Sequence, residues 1–220
     1  MTPAFSRRTN VTIRLTPCRS RDKGDFLWRR LDAGGRDGAL AARVKNPDAA
    51  RRMLDMLKRA GRSARMLASN QTEAEQAQCR AWFAGAERPA LVVAGDVAIP
   101  ERTDIRQLYV MNLAPSLLAV LADLDAVGRD LLAANAEFFA SMGDRDFRLD
   151  WIAAASRGED DPAEAVMAAK RELARVTAWI ENDGCARQYF VRELFENSIG
   201  PCGNCGWCLG KRGSYLPPEI

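Results

Sequence analysis

Short apolar runs alternate with amphipathic helical patterns over the first two thirds of the chain. The runs that predict strands are 11–15, 39–44, 63–68, 90–94, 105–111 and 136–140. The segments between them that predict helices are 25–31, 47–60, 71–83 and 117–127. Strands separated by helices of this length predict a parallel sheet with helices on both sides. We therefore expect an α/β fold.

Local signals support several of these elements. Asn46 precedes Pro47, which predicts an N-cap followed by a proline in the first helical turn, and Gly61 predicts where that helix ends. The segment Ala90–Ala94 is apolar at every position, as expected for a strand buried on both faces. Together these signals place the first helix–strand units of the sheet.

The pattern becomes helical near Gly143. Asp161-Pro162 gives a capping signal, and a long amphipathic helix follows to about Ile180. This change predicts two domains, an α/β domain over 1–142 and a helical, cysteine-bearing domain over 143–220.

Composition excludes several function classes. The 220 residues carry 32 Lys and Arg against 29 Asp and Glu, a net charge of +3, so a nucleic-acid surface would be a local patch. No apolar run approaches the roughly 18 residues of a membrane span, and residues 1–15 lack a signal-peptide pattern. We expect a cytoplasmic protein, associated with the nucleoid if it binds DNA. The absence of histidine excludes Ser-His-Asp and Cys-His catalysis and every histidine-containing metal site.

Four cysteines near the C-terminus have metal-ligand spacing. Cys185 is followed by 16 residues and then by Cys202, Cys205 and Cys208, with two residues between each cysteine and the next. This spacing in a Gly-rich segment predicts one structural Zn²⁺, because four thiolates fill a tetrahedron and leave no open position for water. The alternatives are disulfides, which a reducing compartment disfavours, and buried free thiols. The other two cysteines, at 18 and 79, are isolated and read as packing residues.

The residues around these cysteines resemble a known family. Cys185-Ala186-Arg187 and the segment 201–208 (P-C-G-N-C-G-W-C) are similar to the C-R-R start and P-C-G-N-C-D-x-C finish of the RecQ DNA helicase zinc domain. Upstream, 103–106 resembles the family's K-P-D-V-R, and 128–130 resembles the last G-R-D of its Q-E-x-G-R-A-G-R-D-G motif. The resemblance implies a second RecA-like domain over 10–142, followed by the helical zinc platform.

The departures from the family concern ATP. Ala122 and Ala126 stand where the motif has Gln and its first Arg, and 94–100 lacks the family's Gly-Met-Gly loop. The sequence contains neither G-x-x-x-x-G-K-[ST] nor D-E-x-H. The resemblance therefore implies that this chain alone neither hydrolyses ATP nor unwinds DNA. Arg129 is either a remnant of the arginine finger or a solvated arginine near a helix end.

Basic residues flank the cysteines where RecQ proteins hold DNA. The residues predicted to contact phosphate there are Arg187, Arg192, Lys211 and Arg212. A basic N-terminal stretch that includes Arg7, Arg8 and Arg14 is either a phosphate surface or an ordinary mixed surface. Trp207 would stack on a base or pack over the cysteine loop, whereas Trp151 and Trp179 are predicted to be core residues.

Two functions from different classes follow. The first is a RecQ-like, zinc-stabilised DNA-binding or accessory subunit in repair or recombination, which works with a separate ATPase motor domain or a repair protein. The second is a catalytically inactive protein-interaction adaptor built on an eroded RecA-like fold.

Overall fold

The computed structural model describes residues 9–33, 37–158, 160–196, 199–211 and 214–219. Six parallel strands form one sheet in the order β1-β6-β5-β2-β4-β3. The strands are β1 Val11–Pro17, β2 Ala39–Val44, β3 Ala64–Ala68, β4 Ala90–Ala94, β5 Ile105–Val110 and β6 Ala134–Ala140. The helices are α1 Lys23–Ala33, α2 Pro47–Arg59, α3 Glu73–Gly85, α4 Leu117–Asp125, α5 Met142–Ala155, α6 Pro162–Ile180 and α7 Ala186–Phe195, with 3-10 turns at Ser20–Asp22 and Ser156–Gly158. The expected α/β fold is confirmed.

Both faces of the sheet are buried. Along β2, Ala39 and Ala41 belong to one hydrophobic cluster, and Leu40 and Ala42 belong to the other. Side chains of α1 and α2 complete the second cluster, whereas α3 to α7 all contribute to the first. Because successive strand side chains point to opposite faces, a central strand covered on both sides is apolar at most positions, as β2 is apart from Arg43 near its end.

Capping side chains fix the helix starts. The Asn46 side chain accepts a hydrogen bond from the Ala49 N–H (2.9 Å), which confirms the predicted cap of α2. The predicted start of α3 at 71 is two residues early. Thr72 and Glu75 form a capping box there, and the Gln71 side chain instead accepts a bond from the Ala68 N–H (2.7 Å).

The C-terminal helices pack on the same core as the sheet. Trp179 on α6 is fully buried and meets Phe138 of β6 and Phe190 of α7 edge to face, with both pairs of ring centroids 4.9 Å apart. Its indole N–H donates to the Ala186 carbonyl (3.1 Å). Trp179 is therefore a core residue as predicted. The division of the chain into domains 1–142 and 143–220 stays a prediction.

The other single-residue predictions have mixed outcomes. Trp151 is 44 % exposed, so its assignment to the core is wrong; the next residue on α5, Ile152, takes the buried position. Cys18 and Cys79 are buried packing residues, and burial raises the pKa of Cys18 to about 11. Within the described residues, every helix is too short or too polar to cross a membrane.

Candidate metal centre and strand-end cavity

The fold brings the four C-terminal cysteines together. The Sγ atoms of Cys185, Cys202, Cys205 and Cys208 all lie within 4.8 Å of one another. The Cys202 and Cys208 sulfurs are 3.9 Å apart, close to the ~3.8 Å edge of a tetrahedron with zinc–sulfur bonds of about 2.3 Å. All four cysteines are unpaired thiols. The cluster can therefore hold one metal ion.

Local backbone structure positions these sulfurs. Cys185 is the N-cap residue of α7, and the other three lie in a tight loop, residues 202–211, that we call the knuckle. Gly203 (φ 73°) and Gly210 (φ 87°) supply the left-handed conformations that close its turns. The Cys202 N–H points at the Cys185 sulfur (3.3 Å), and hydrogen bonds from the Cys202 and Cys205 thiols lower the pKa of Cys185. Cys185 therefore has the environment of a thiolate.

The knuckle lies against the exposed edge of the sheet. The Gly206 N–H donates to the Ile13 carbonyl (2.8 Å), and the Ile13 N–H donates to the Asn204 carbonyl (3.4 Å), as in a parallel strand pair. The Thr12 hydroxyl also donates to Asn204 Oδ1 (2.8 Å). Since β1 is an edge strand, the knuckle covers backbone groups that would otherwise be open to pairing with another chain.

Arg187 sits beneath the cysteines rather than on the surface. It is 1 % exposed, and its Nη2 donates to the Val11 carbonyl (3.3 Å). Burial lowers the pKa of Arg187, and the neighbouring sulfurs of Cys202 and Cys185 oppose that shift. The buried guanidinium cannot contact a phosphate at the surface. It lies where it can balance the negative charge of the cysteine cluster.

The remaining predicted DNA contacts are spread over the surface. Lys211 lines a small cleft of about 50 Å³ together with Arg14 and Trp207. Arg192 is exposed, pairs with Glu193 (3.2 Å) and lies over the Tyr189 ring. Arg212, Arg7 and Arg8 lie outside the described residues. The structure thus brings Arg14 and Lys211 to the same cleft as Trp207, which packs against the core.

A larger cavity opens where β2, β4 and β5 end. Its volume is about 600 Å³, and its walls come from the residues after these strands, from α4 and from α5. Arg43 and Asp123 form a two-pronged ion pair in its floor, with both N–O distances 2.6 Å. Burial raises the pKa of Asp123, and Arg43 opposes that shift. Strand ends at one edge of a parallel sheet are a common location for ligand sites.

Of the three residues 128–130 that resemble the helicase ATP motif, Arg129 lines this cavity, and all three are engaged in contacts within the chain. Arg129 donates from Nε to the Asp125 carbonyl (2.8 Å) and pairs with Glu101 (3.2 Å). Gly128 has φ 61°, and a Cβ there would come within 2.6 Å of the Asn10 side chain. Asp130 binds the Arg106 guanidinium through both oxygens. All three residues therefore make contacts within the chain.

Solved structures with the same fold are helicase domains. The C-terminal domain of the DEAD-box protein Dbp5 matches with a TM-score of 0.54 at 15 % identity, over 75 % of this chain and 99 % of that chain. The C-terminal domain of S. cerevisiae Dbp5 bound to Gle1 and IP6 matches with a TM-score of 0.52 at 14 % identity, over 74 % of this chain and 97 % of that chain. No protein-family model and no curated protein matches the chain. The fold is therefore a RecA-like α/β fold, similar to that of the Dbp5 C-terminal domain.

Two polar residues in the cavity were not predicted as site residues. They are Asn112, which follows β5, and Arg148 on α5. Both are buried, 5 % and 9 % exposed. A buried arginine on a helix is rare enough to be a signal, but its burial becomes visible only in the folded chain.

Proposed function

We propose that this chain is a helicase-related, RecQ-like accessory protein that binds DNA and is stabilised by one structural Zn²⁺. The observation that carries the proposal is the four-thiol cluster, whose knuckle is hydrogen-bonded through its backbone to the edge strand of a RecA-like sheet. The resemblance of residues 185–187 and 201–208 to the RecQ zinc domain supports the same assignment. Repair and recombination are the processes in which we expect it to act.

Zinc fits the donor set. Four thiolates around Zn²⁺ carry a net negative charge, and the buried Arg187 supplies a positive charge beside them. Zinc would cross-link α7 to the knuckle and so hold the knuckle against β1. Its contribution is structural, because four sulfur ligands leave no coordination position for substrate.

The proposed DNA surface surrounds the knuckle. It comprises Arg14 and Lys211 in the small cleft, Arg192 on α7, and Arg212, which is assigned from the sequence alone. Trp207 lines the same cleft and offers a ring edge to a base or sugar. We expect a separate ATPase motor domain to supply the nucleotide site.

Salt-dependent DNA binding tests the proposal. The zinc-loaded protein should bind single-stranded and forked DNA with micromolar affinity that falls as salt rises. The double variant Arg14→Gln with Lys211→Gln should reduce the slope of log K against log salt by about 1 to 2. The matched control, Arg51→Gln with Arg59→Gln on α2 at the far end of the sheet, should leave the slope unchanged.

An absence of binding at low salt, or equal effects of the two double variants, would contradict the proposed surface. In that case the second candidate function, an interaction adaptor, takes its place. The internal ion pairs of Arg129 and Arg43 favour it, since both cations are withdrawn from nucleotide chemistry. The Gle1-bound Dbp5 domain is a precedent for a domain of this fold held by a protein partner. Capture of a defined non-motor partner, without DNA binding, would support the adaptor.

A further inference from the structure

Arg148 and Asn112 converge on one point in the wall of the strand-end cavity. Arg148 Nε and Asn112 Nδ2 both donate to the Leu113 carbonyl, at 3.0 and 3.2 Å. The Asn112 Oδ1 atom is buried without a hydrogen-bond partner in the described part of the chain. An orphaned acceptor therefore lies beside a buried guanidinium, and leaving such groups unpaired is costly.

The charges of the cavity do not cancel pair by pair. Its lining holds four cations and four carboxylates, which are Arg43, Lys45, Arg129 and Arg148 against Asp96, Glu101, Asp123 and Asp125. Ion pairs join two of the cations to three of the carboxylates. Between described residues, no ion pair connects Lys45 or Arg148 to a carboxylate. Among the lining carboxylates Asp96 remains to oppose these two cations, which leaves room for one negative charge beside them, and Asp144 beyond the lining adds a smaller attraction to Arg148.

Aromatic rings and aliphatic groups form the rest of this wall. Lys45 lies over the Phe147 ring (4.7 Å) and Arg148 over the Trp151 ring (5.7 Å), so both cations are held by α5. Val97 and Ile99, which follow β4, provide an apolar surface in the same cavity. At about 600 Å³ the cavity lies within the range of small-molecule sites.

We propose that this cavity binds a small organic monocarboxylate that carries a hydroxyl or amine donor. The carboxylate pairs with Arg148, with Lys45 adding long-range attraction, while the ligand's donor meets Asn112 Oδ1. The apolar body of the ligand lies against Val97 and Ile99. This goes beyond the proposed DNA-binding function, because none of these residues belongs to the surface around the knuckle.

A nucleoside triphosphate is a poor fit for the same space. The lining carries as many cations as carboxylates, so it offers a polyanion no net attraction, and Arg129 is already engaged with Asp125 and Glu101. Burial lowers the pKa of Arg148, and Asp96 and Asp144 oppose that shift, so a further negative charge beside the buried guanidinium would stabilise it. A ligand with one carboxylate supplies that charge and adds only one negative charge to the cavity.

Calorimetric titration with mandelate tests the proposal. Mandelate joins a carboxylate, a hydroxyl donor and an apolar ring, and mandelamide is its neutral counterpart. Mandelate should bind the full chain saturably at millimolar concentration or below, and mandelamide should bind at least about tenfold more weakly. Arg148→Gln and Asn112→Leu should each weaken mandelate binding by about 10- to 100-fold. Arg145→Gln, on α5 but outside the cavity, should leave it unchanged.

Ala98→Trp provides a second variant that leaves the buried residues intact. Ala98 is exposed at the cavity wall, so a large side chain there should block mandelate while the circular dichroism spectrum stays native. The proposal is overturned by absent saturation, by equal binding of acid and amide, or by binding that survives both Arg148→Gln and Ala98→Trp. It is also overturned if ATP or single-stranded DNA displaces mandelate at lower concentration than free carboxylates do.

Discussion

Trp179→Ala should destabilise the whole molecule. The fully buried indole joins Phe138 on β6 to Phe190 on α7, and its N–H is bonded to the Ala186 carbonyl. Truncation of a buried tryptophan costs about 3–5 kcal/mol, of which the two edge-to-face pairs contribute about 0.5–1.5 kcal/mol each and the hydrogen bond about 1 kcal/mol. Such a loss is a large part of the roughly 5–15 kcal/mol that stabilises a domain.

Urea unfolding followed by circular dichroism measures the loss, and Trp179→Phe is the matched control. Phenylalanine keeps an aromatic ring but loses the hydrogen bond and some buried area, so about 1–2 kcal/mol should be lost. Amide hydrogen exchange should show weaker protection in β6 as well as in α6 and α7. A loss below about 1 kcal/mol for Trp179→Ala, or wild-type protection of β6, would refute a shared core and support two separately stable domains.

Three further predictions concern other parts of the fold. Cys202→Ser should open residues 185–210 to protease, because the metal site loses a ligand; unchanged protease resistance there would contradict it. The guanidinium partner of Asp130 lowers the pKa of that carboxylate below its ordinary 3.8, so the stabilisation is present above that pH and is lost as the pH falls through the lower folded value. Asp130→Asn should therefore flatten the acid limb of a stability–pH curve, and an unchanged limb would argue against the pairing. Gly128→Ala should cost more than 1 kcal/mol in urea unfolding because of its positive φ and close packing, whereas Gly85→Ala, with nothing near its Cβ, should stabilise or be neutral.

The sheet could be predicted because its strands carry their own signal. Ala90–Ala94 is apolar at every position, and Asn46-Pro47 marks a helix start wherever it occurs. The cysteine cluster was also predictable, since metal ligands have short, characteristic spacings along the chain. These signals depend only on residues close together in the sequence, so they can be recognised before the fold is known.

Burial by distant contacts could not be predicted in the same way. Arg187 was assigned to a DNA surface because it flanks the cysteines where RecQ proteins hold DNA, but it is buried and donates to the Val11 carbonyl of β1. Trp151 was assigned to the core because it falls on an apolar helix face. That pattern does not show which of two adjacent residues faces inward, and Ile152 takes the buried position. Asn112 and Arg148 donate to the same Leu113 carbonyl only because α5 packs against the segment that follows β5, and neither segment alone predicts that contact.

Native mass spectrometry of protein purified under reducing conditions tests the central claim most directly. The folded chain should carry one Zn²⁺, and Cys202→Ser should lose it while Cys79→Ser retains it, since only Cys202 belongs to the cluster. A folded wild-type chain that carries no metal with all its thiols reduced, or equal zinc content in the two variants, would contradict a zinc-stabilised knuckle on the edge of the sheet.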